Sequence, residues 1–166
     1  KRNILAHYDI GNELYERFLD CSMQYSSAIY SEDALTLSKA QQNKMKTICE
    51  RLELSESDHV VEIGTGWGGL AIFMAQHYGC HVTTTTISDA QHELAEQRVK
   101  ALSLTDKITL LKEDYRNLSG QYDKLVSIEM IEAVGHEYLQ TFFEKCSSLL
   151  KPSGKMLIQA ITIADS

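Results

Sequence analysis

Between Leu37 and Leu54 apolar residues recur at helical spacing. Met45, Ile48, Cys49 and Leu52 fall at i, i+3, i+4 and i+7 as one stripe, and Lys39, Gln42, Lys46 and Glu50 take the wet side. From His59 the pattern changes. Short apolar and β-branched runs at His59–Ile63, His81–Thr86, Ile108–Leu111, Lys124–Ile128 and Lys155–Ile163 predict strands. Between them lie helical segments over Gly68–Tyr78, Ser88–Ala101 and His136–Leu150. Leu70, Phe73, Met74 and His77 share a face of the first, and Gly79 predicts its left-handed stop. Ser88-Asp89-Ala90-Gln91 has the form of a capping box that opens the second. A loop and short helical turn are expected over Glu129–Gly135, and Lys151-Pro152-Ser153-Gly154 predicts a turn. Upstream, residues 1–35 interleave aromatic and polar positions, with a short helix expected near Asn12–Leu19 and the rest lying as a loop over the molecule.

Strands alternating with helices predict an α/β fold: an open, mostly parallel sheet with helices on both faces. The change of pattern divides the chain into an N-terminal helical covering segment, 1–57, and a Rossmann-like core, 58–166. Ligands of such sheets sit at the carboxyl ends of the strands. Glu62–Gly68, Thr86–Gln91, Asp114–Tyr115 and Ile128–Glu132 all fall at those ends.

Composition narrows the classes. The chain has 166 residues, 43% apolar, enough for one core. Against 16 Lys+Arg stand 23 Asp+Glu, a formal charge of −7 with no basic cluster, which argues against nucleic acid as a partner. Cys21, Cys49, Cys80 and Cys146 are far apart and read as reduced thiols of a cytoplasmic protein. The six histidines lack metal-ligand spacing, so no metal is expected. No apolar run approaches the ~18 residues of a membrane span, and the first residues carry no signal-peptide pattern.

The segment Val60-Val61-Glu62-Ile63-Gly64-Thr65-Gly66-Trp67-Gly68-Gly69 carries the most chemistry. It reads as a buried strand, a glycine-rich turn and a helix. Gly64 and Gly66 let a ligand lie against bare backbone, and Glu62 places a carboxylate at the strand's end. The same letters satisfy the dinucleotide fingerprint through Gly64, Gly66 and Gly69. That fingerprint wants an acid at the end of the second strand. Here that strand is His81-Val82-Thr83-Thr84-Thr85-Thr86-Ile87, with none, and Asp89 comes too late. An acid followed by Gly-x-Gly-x-Gly instead resembles the first motif of S-adenosylmethionine-dependent methyltransferases.

Five motifs in order sharpen the resemblance: His7-Tyr8-Asp9-Ile10-Gly11-Asn12; Gln24-Tyr25-Ser26-Ser27-Ala28-Ile29-Tyr30; Glu62–Gly69; Thr86-Ile87-Ser88 with Gln91; and Ile131-Glu132-Ala133-Val134-Gly135-His136. Together they closely resemble the cyclopropane-fatty-acyl-phospholipid synthase family, to which mycolic acid cyclopropane synthases belong. The resemblance implies a Rossmann-like methyltransferase fold. Such a sheet has seven strands, so this chain is expected to be truncated after strand five. Leu157, Ile158, Ile161 and Ile163 suit a strand covered on both faces. Its open edge predicts self-association of the fragment.

The resemblance also implies the reaction. The methyl of S-adenosylmethionine is taken by a cis double bond of an unsaturated phospholipid or fatty acyl chain, and bicarbonate removes a proton from the cation. Relatives leave a methyl branch or a hydroxyl instead of a ring. Transient peripheral contact with the inner face of the membrane goes with such a substrate. By resemblance Tyr25, Ser26, Glu62, Gly64, Gly66, Trp67, Thr86, Ile87, Gln91, Asp114, Tyr115 and Ile128 are cofactor-binding positions. His7, Tyr8 and Asp9 match a lid near the acceptor chain. Glu132 matches the glutamate that orients bicarbonate and sets negative charge beside the developing cation. Glu129 is its control, a loop or helix-start carboxylate. Simpler readings stand beside these: capping for Ser88 and Gln91, a solvated acid for Asp114, aromatic packing for Tyr25, core for Ile128.

Two positions depart from the family pattern. Ser27 stands where many members have cysteine, and Gln159 where they have histidine. Both belong to the bicarbonate site, and glutamine cannot carry a proton. Methylation is therefore a firmer expectation than ring closure. Two other functions fit the same motifs: a small-molecule N-methyltransferase, which needs an amine pocket, and a non-catalytic methyltransferase-like binding domain, against which intact Gly64, Gly66 and Glu132 argue.

Overall fold

The computed structural model describes residues 12–163, so His7, Tyr8 and Asp9 lie outside the described residues. Two helices lead: α1, Asn12–Phe18, and α2, Leu37–Leu52. The alternating part follows as β1 His59–Ile63, α3 Gly69–Tyr78, β2 His81–Thr85, α4 Asp89–Ala101, β3 Ile108–Leu111, β4 Tyr122–Ile128, α5 Leu139–Leu149 and β5 Leu150–Gln159. Short 3-10 turns occupy Tyr115–Asn117, Ile131–Ala133 and His136–Tyr138.

The strands form one parallel sheet in the order β3-β2-β1-β4-β5. The chain leaves β1 toward one edge and returns past it to β4, so the switch point lies between β1 and β4. Strand alternation splits β1 between two cores. Val60 faces a cluster with Met45, Ile48, Leu52, Leu70 and Met74 of α2 and α3. Val61 and Ile63 face Leu125, Phe142, Cys146 and Leu149, where α5 packs. Glu62 shares the parity of Val60 and is buried with it.

The predicted stripe of α2 is buried, and its ends follow local chemistry. The Thr36 hydroxyl caps it by accepting from the Lys39 N–H, and Glu53 closes it in the left-handed region. Gly79 closes α3 as expected. The capping box of α4 forms in part. Ser88 Oγ accepts from the Gln91 N–H, but the Ser88 N–H goes to Thr86 Oγ1, which itself donates to Gln91 Oε1.

Several boundaries differ from the pattern. β4 starts two residues earlier than predicted, at Tyr122. α5 starts at Leu139 rather than His136, because Gly135 at φ +85° and a 3-10 turn intervene. The predicted turn at Lys151–Gly154 lies within the span of β5. There, Tyr122 to Lys124 on β4 are matched by Leu150 to Lys155 on β5. The extra residues bulge from the ladder, where Pro152 needs no amide partner.

The far end of β5 is also corrected. The ladder stops at Ile128 opposite Gln159. Glu129 turns the chain away at φ +47°, so β4 offers no further partner. Ile161 and Ile163 therefore lie past the strand, 68% and 94% exposed, and are not covered on both faces.

Candidate active site

At the carboxyl ends of β1 to β4 lies a cavity of about 830 Å³. Its first wall is the turn after β1. The N–H groups of Gly64 and Thr65 both donate to Thr85 O, at 3.2 and 3.0 Å, which pins the turn to the end of β2. Gly64, Gly66 and Gly68 take φ of +106°, +52° and +85°, where side chains are strained. A Cβ built on Gly66 would meet nothing within 4 Å, so this backbone faces open space. Gly69 serves packing instead. A Cβ there would collide with Ser22 O.

Under the turn lies Glu62, fully buried. Its Oε2 accepts from Thr84 Oγ1 at 2.6 Å, and Thr84 Oγ1 lies 2.7 Å from Thr65 Oγ1. Burial pushes its carboxyl up to about 8, against the pull of the Thr84 hydroxyl. A cationic ligand group in the cavity would bring out its charge.

The second wall comes from β2 and β3. Thr86, Ile87 and Gln91 line it, with Asp114 and Tyr115 beyond. The Asp114 carboxylate caps the 3-10 turn through the Arg116 N–H and is gripped by the Arg116 guanidinium at 2.9 and 2.7 Å. Tyr115 stacks edge-on to Phe142, 5.5 Å between centroids.

The third wall comes from upstream. Tyr15 is buried against Trp67 at 4.6 Å and meets Tyr25 edge-on at 5.1 Å. Arg98 of α4 ties this part down by donating to Cys21 O, Ser22 O and Trp67 O. Gln41 Nε2 donates to Ser26 O at 2.8 Å, and Lys44 Nζ to Ser26 Oγ at 2.6 Å. Burial lowers the Lys44 ammonium to about 8, and the charges of Glu129 and Asp20 pull it back up.

Tyr25, Ser26, Glu62, Gly64, Gly66, Trp67, Thr86, Ile87, Gln91, Asp114, Tyr115, Ile128 and Glu132 all line this one cavity. Glu132 lies on the 3-10 turn after β4, exposed, and its Oε1 accepts from the Ile161 N–H at 2.5 Å. With Ile161 it also lines a smaller adjoining cavity, whose other walls are Ile131, Gly135, His136 and Leu139. Ser27 and Gln159 stand behind the main wall and reach it through another residue, Glu129.

Glu129 lines the cavity itself. Its Oε1 accepts from the Ser27 N–H at 2.9 Å, Ser27 Oγ at 2.6 Å and Gln159 Nε2 at 2.7 Å. Its own N–H donates to Gln159 O at 2.8 Å. The sequence reading made Glu129 a bystander and overlooked Lys44, Gln41 and Arg98. For Gln41 and Lys44 a signal existed: they precede Ile48 at i−7 and i−4 on the stripe. Nothing in the sequence marks the left-handed turn of Glu129.

The residues present fit S-adenosylmethionine. Bare backbone at Gly66 faces the cavity, and a buried carboxylate below it suits a cationic ligand.

Comparison with known proteins agrees. The family model described as mycolic acid cyclopropane synthetase matches residues 1–166. The cyclopropane-fatty-acyl-phospholipid synthase of Escherichia coli K12 is 45% identical over 155 residues, 93% of this chain and 39% of that protein. A tuberculostearic acid methyltransferase of Mycobacterium tuberculosis is 41% identical over 170 residues, 98% of this chain and 40% of that protein. The chain thus spans about two-fifths of the length of these curated relatives. Among solved structures, a mycolic acid cyclopropane synthase complexed with SAH and CTAB superposes with a TM-score of 0.90 at 29% identity, over 95% of this chain and 55% of that one. The fold is that of the methyltransferases.

Proposed function

From a chain that belongs to the mycolic acid cyclopropane synthetase family, we propose that the protein containing it methylates the double bond of an unsaturated acyl chain, with S-adenosylmethionine as donor. The observation that carries this reading is the pairing of two cavities. One runs along Glu62, Gly64, Gly66, Thr86 and Gln91, and the other along Ile131, Gly135 and Leu139; Glu132 and Ile161 border both. A cleft floored by the Glu62 carboxyl suits the donor. Met130, Ala133, Val134 and Ile161 on its outer wall suit a hydrocarbon acceptor.

Bound S-adenosylmethionine supplies an electrophilic methyl, which the π electrons of an alkene take to leave a carbocation. Glu62 would hold a cationic part of the donor. Tyr25 and Ser26 would close over the donor's carboxylate, with Lys44 adding positive charge through Ser26. Asp114 and Tyr115 would bound its base. Glu132 would set negative charge beside the cation. Bicarbonate, the base that the family resemblance implies, would need the donors of Ser27 and Gln159, which Glu129 already engages.

The acceptor also implies passing contact with a membrane surface. No helix among the described residues is long and apolar enough to cross one. The deciding experiment is transfer of labelled methyl from S-adenosylmethionine into unsaturated phospholipid by the full-length protein, with products resolved by mass spectrometry. Label in the acyl chain supports the reading. Label absent from lipid, with S-adenosylhomocysteine still bound, overturns it.

A further inference from the structure

Three hydrogen-bond donors from distant parts of the chain converge on one carboxylate oxygen. The Ser27 N–H, Ser27 Oγ and Gln159 Nε2 all donate to Oε1 of Glu129. No hydrogen bond from the described residues is recorded on Oε2, and the residue borders the cavity next to Ile128, Met130 and Glu132. Glu129 is held in a left-handed conformation, φ +47°, that a glutamate rarely adopts. The backbone N–H there also closes the β4–β5 ladder on Gln159 O. Such strain persists only where surrounding contacts over-determine it, and it clusters at functional sites. Behind the group, the buried ammonium of Lys44 reaches Ser26 Oγ, and the Glu129 carboxylate pulls the lowered Lys44 pKa back up.

A site that makes a cation on a hydrocarbon must also remove a proton. We propose that Glu129 is the catalytic base: a carboxylate of the chain itself, fixed by Ser27 and Gln159, in place of a bound anion such as bicarbonate. This rests on the acyl-methylation reading above. In the step before, the alkene π pair forms a C–C bond to the methyl carbon as the C–S bond breaks, with that pair going to sulfur. Glu129 then takes one proton and becomes the neutral acid. If the proton leaves the transferred methyl, its C–H pair closes a three-membered ring. If it leaves the chain carbon beside the cation, the pair forms a double bond next to a methyl branch. Either way the proton passes to Glu129 and no external base or oxidant is consumed. Ser27 and Gln159 become positioning residues, which explains how a pair unable to carry a proton can serve the site.

The test uses the full-length protein. In Glu129→Gln, S-adenosylhomocysteine affinity by calorimetry should hold within about twofold while lipid methylation falls ~100-fold or more, the usual weight of a positioned base. Glu129→Gly, which suits the positive φ and should fold, should open an anion site. Carbon-13 bicarbonate should bind it by NMR and not the wild type, and added bicarbonate should raise its turnover. Wild-type turnover should not change in carbonate-free buffer. Bicarbonate binding to wild type, a wild-type rate that falls when bicarbonate is stripped, or near-normal turnover in Glu129→Gln would each overturn the assignment. A wild type that methylates no lipid sinks the function reading, and this one with it; a wild type that methylates lipid as fast as Glu129→Gln sinks this one alone.

Discussion

The glycine turn and the Glu129 corner border one cavity but are built in opposite ways. The turn is local. Glu62, Gly64, Gly66 and Trp67 lie within six residues, and their order along the chain is their order in space. The corner is assembled from Ser27, Glu129 and Gln159, separated by 102 and 30 residues. A local motif can be read before any fold is known, whereas a corner of three distant residues exists only once the sheet has brought β4, β5 and the upstream segment together. On the proposed reading the turn would bind through backbone shape and tolerate little there, and the corner would work through charge, its parts exchangeable as long as a carboxylate or an anion is held.

The strongest way to break this comparison is at Gly66. Gly66→Val should lower S-adenosylhomocysteine affinity at least ~100-fold. Its φ of +52° is forbidden to a β-branched residue, and its methyls would enter the cavity. Calorimetry on the variant, with circular dichroism to show that it folds, decides this; unchanged affinity would remove the turn from the site.

Next comes charge on the acceptor side. Glu132→Gln keeps shape and removes charge, so turnover should drop roughly 10²–10³-fold with cofactor affinity nearly constant. Normal turnover would leave Glu129 as the only acid needed there.

Arg98 probes the tie between the two regions. Arg98→Ala strips a donor from the carbonyls of Cys21, Ser22 and Trp67. The expected loss is about 2–3 kcal/mol of stability, since a charged donor to three backbone carbonyls is removed. Thermal melting measures it, and limited proteolysis should show earlier cutting near residues 19–25. A wild-type melting curve would mean that this segment is held by aromatic packing alone.

The smallest effect concerns Glu62. Its folded pKa, about 8, lies above the ordinary carboxylate value of 4.5. The native state therefore keeps its proton longer than the unfolded chain. Stability from this group is full below about pH 4 and is lost as pH rises toward 8. Glu62→Gln should leave ligand-free stability unchanged near pH 4 and raise it progressively relative to the wild type as pH rises toward 8. Melting temperatures across that range check the sign. A wild type that gains stability from pH 5 to 8 relative to the variant would show that Glu62 is ionised in the ligand-free fold.

The α/β order, the burial of the α2 stripe, the helix stop at Gly79, the helix start at Ser88 and the glycine turn were legible because each depends on neighbours in the chain. Apolar period selects helix or strand, a capping hydroxyl opens a helix and glycine ends it, whatever the rest of the protein does. Only the tertiary structure decided that β5 ends at Gln159, because a strand stops where its partner turns away. It alone showed that Lys44 and Arg98 are drawn inward by the oxygen acceptors of the segment they hold. It also brought Glu129 between Ser27 and Gln159, since a hydrogen-bonded cluster depends on distances in space that no spacing along the chain encodes.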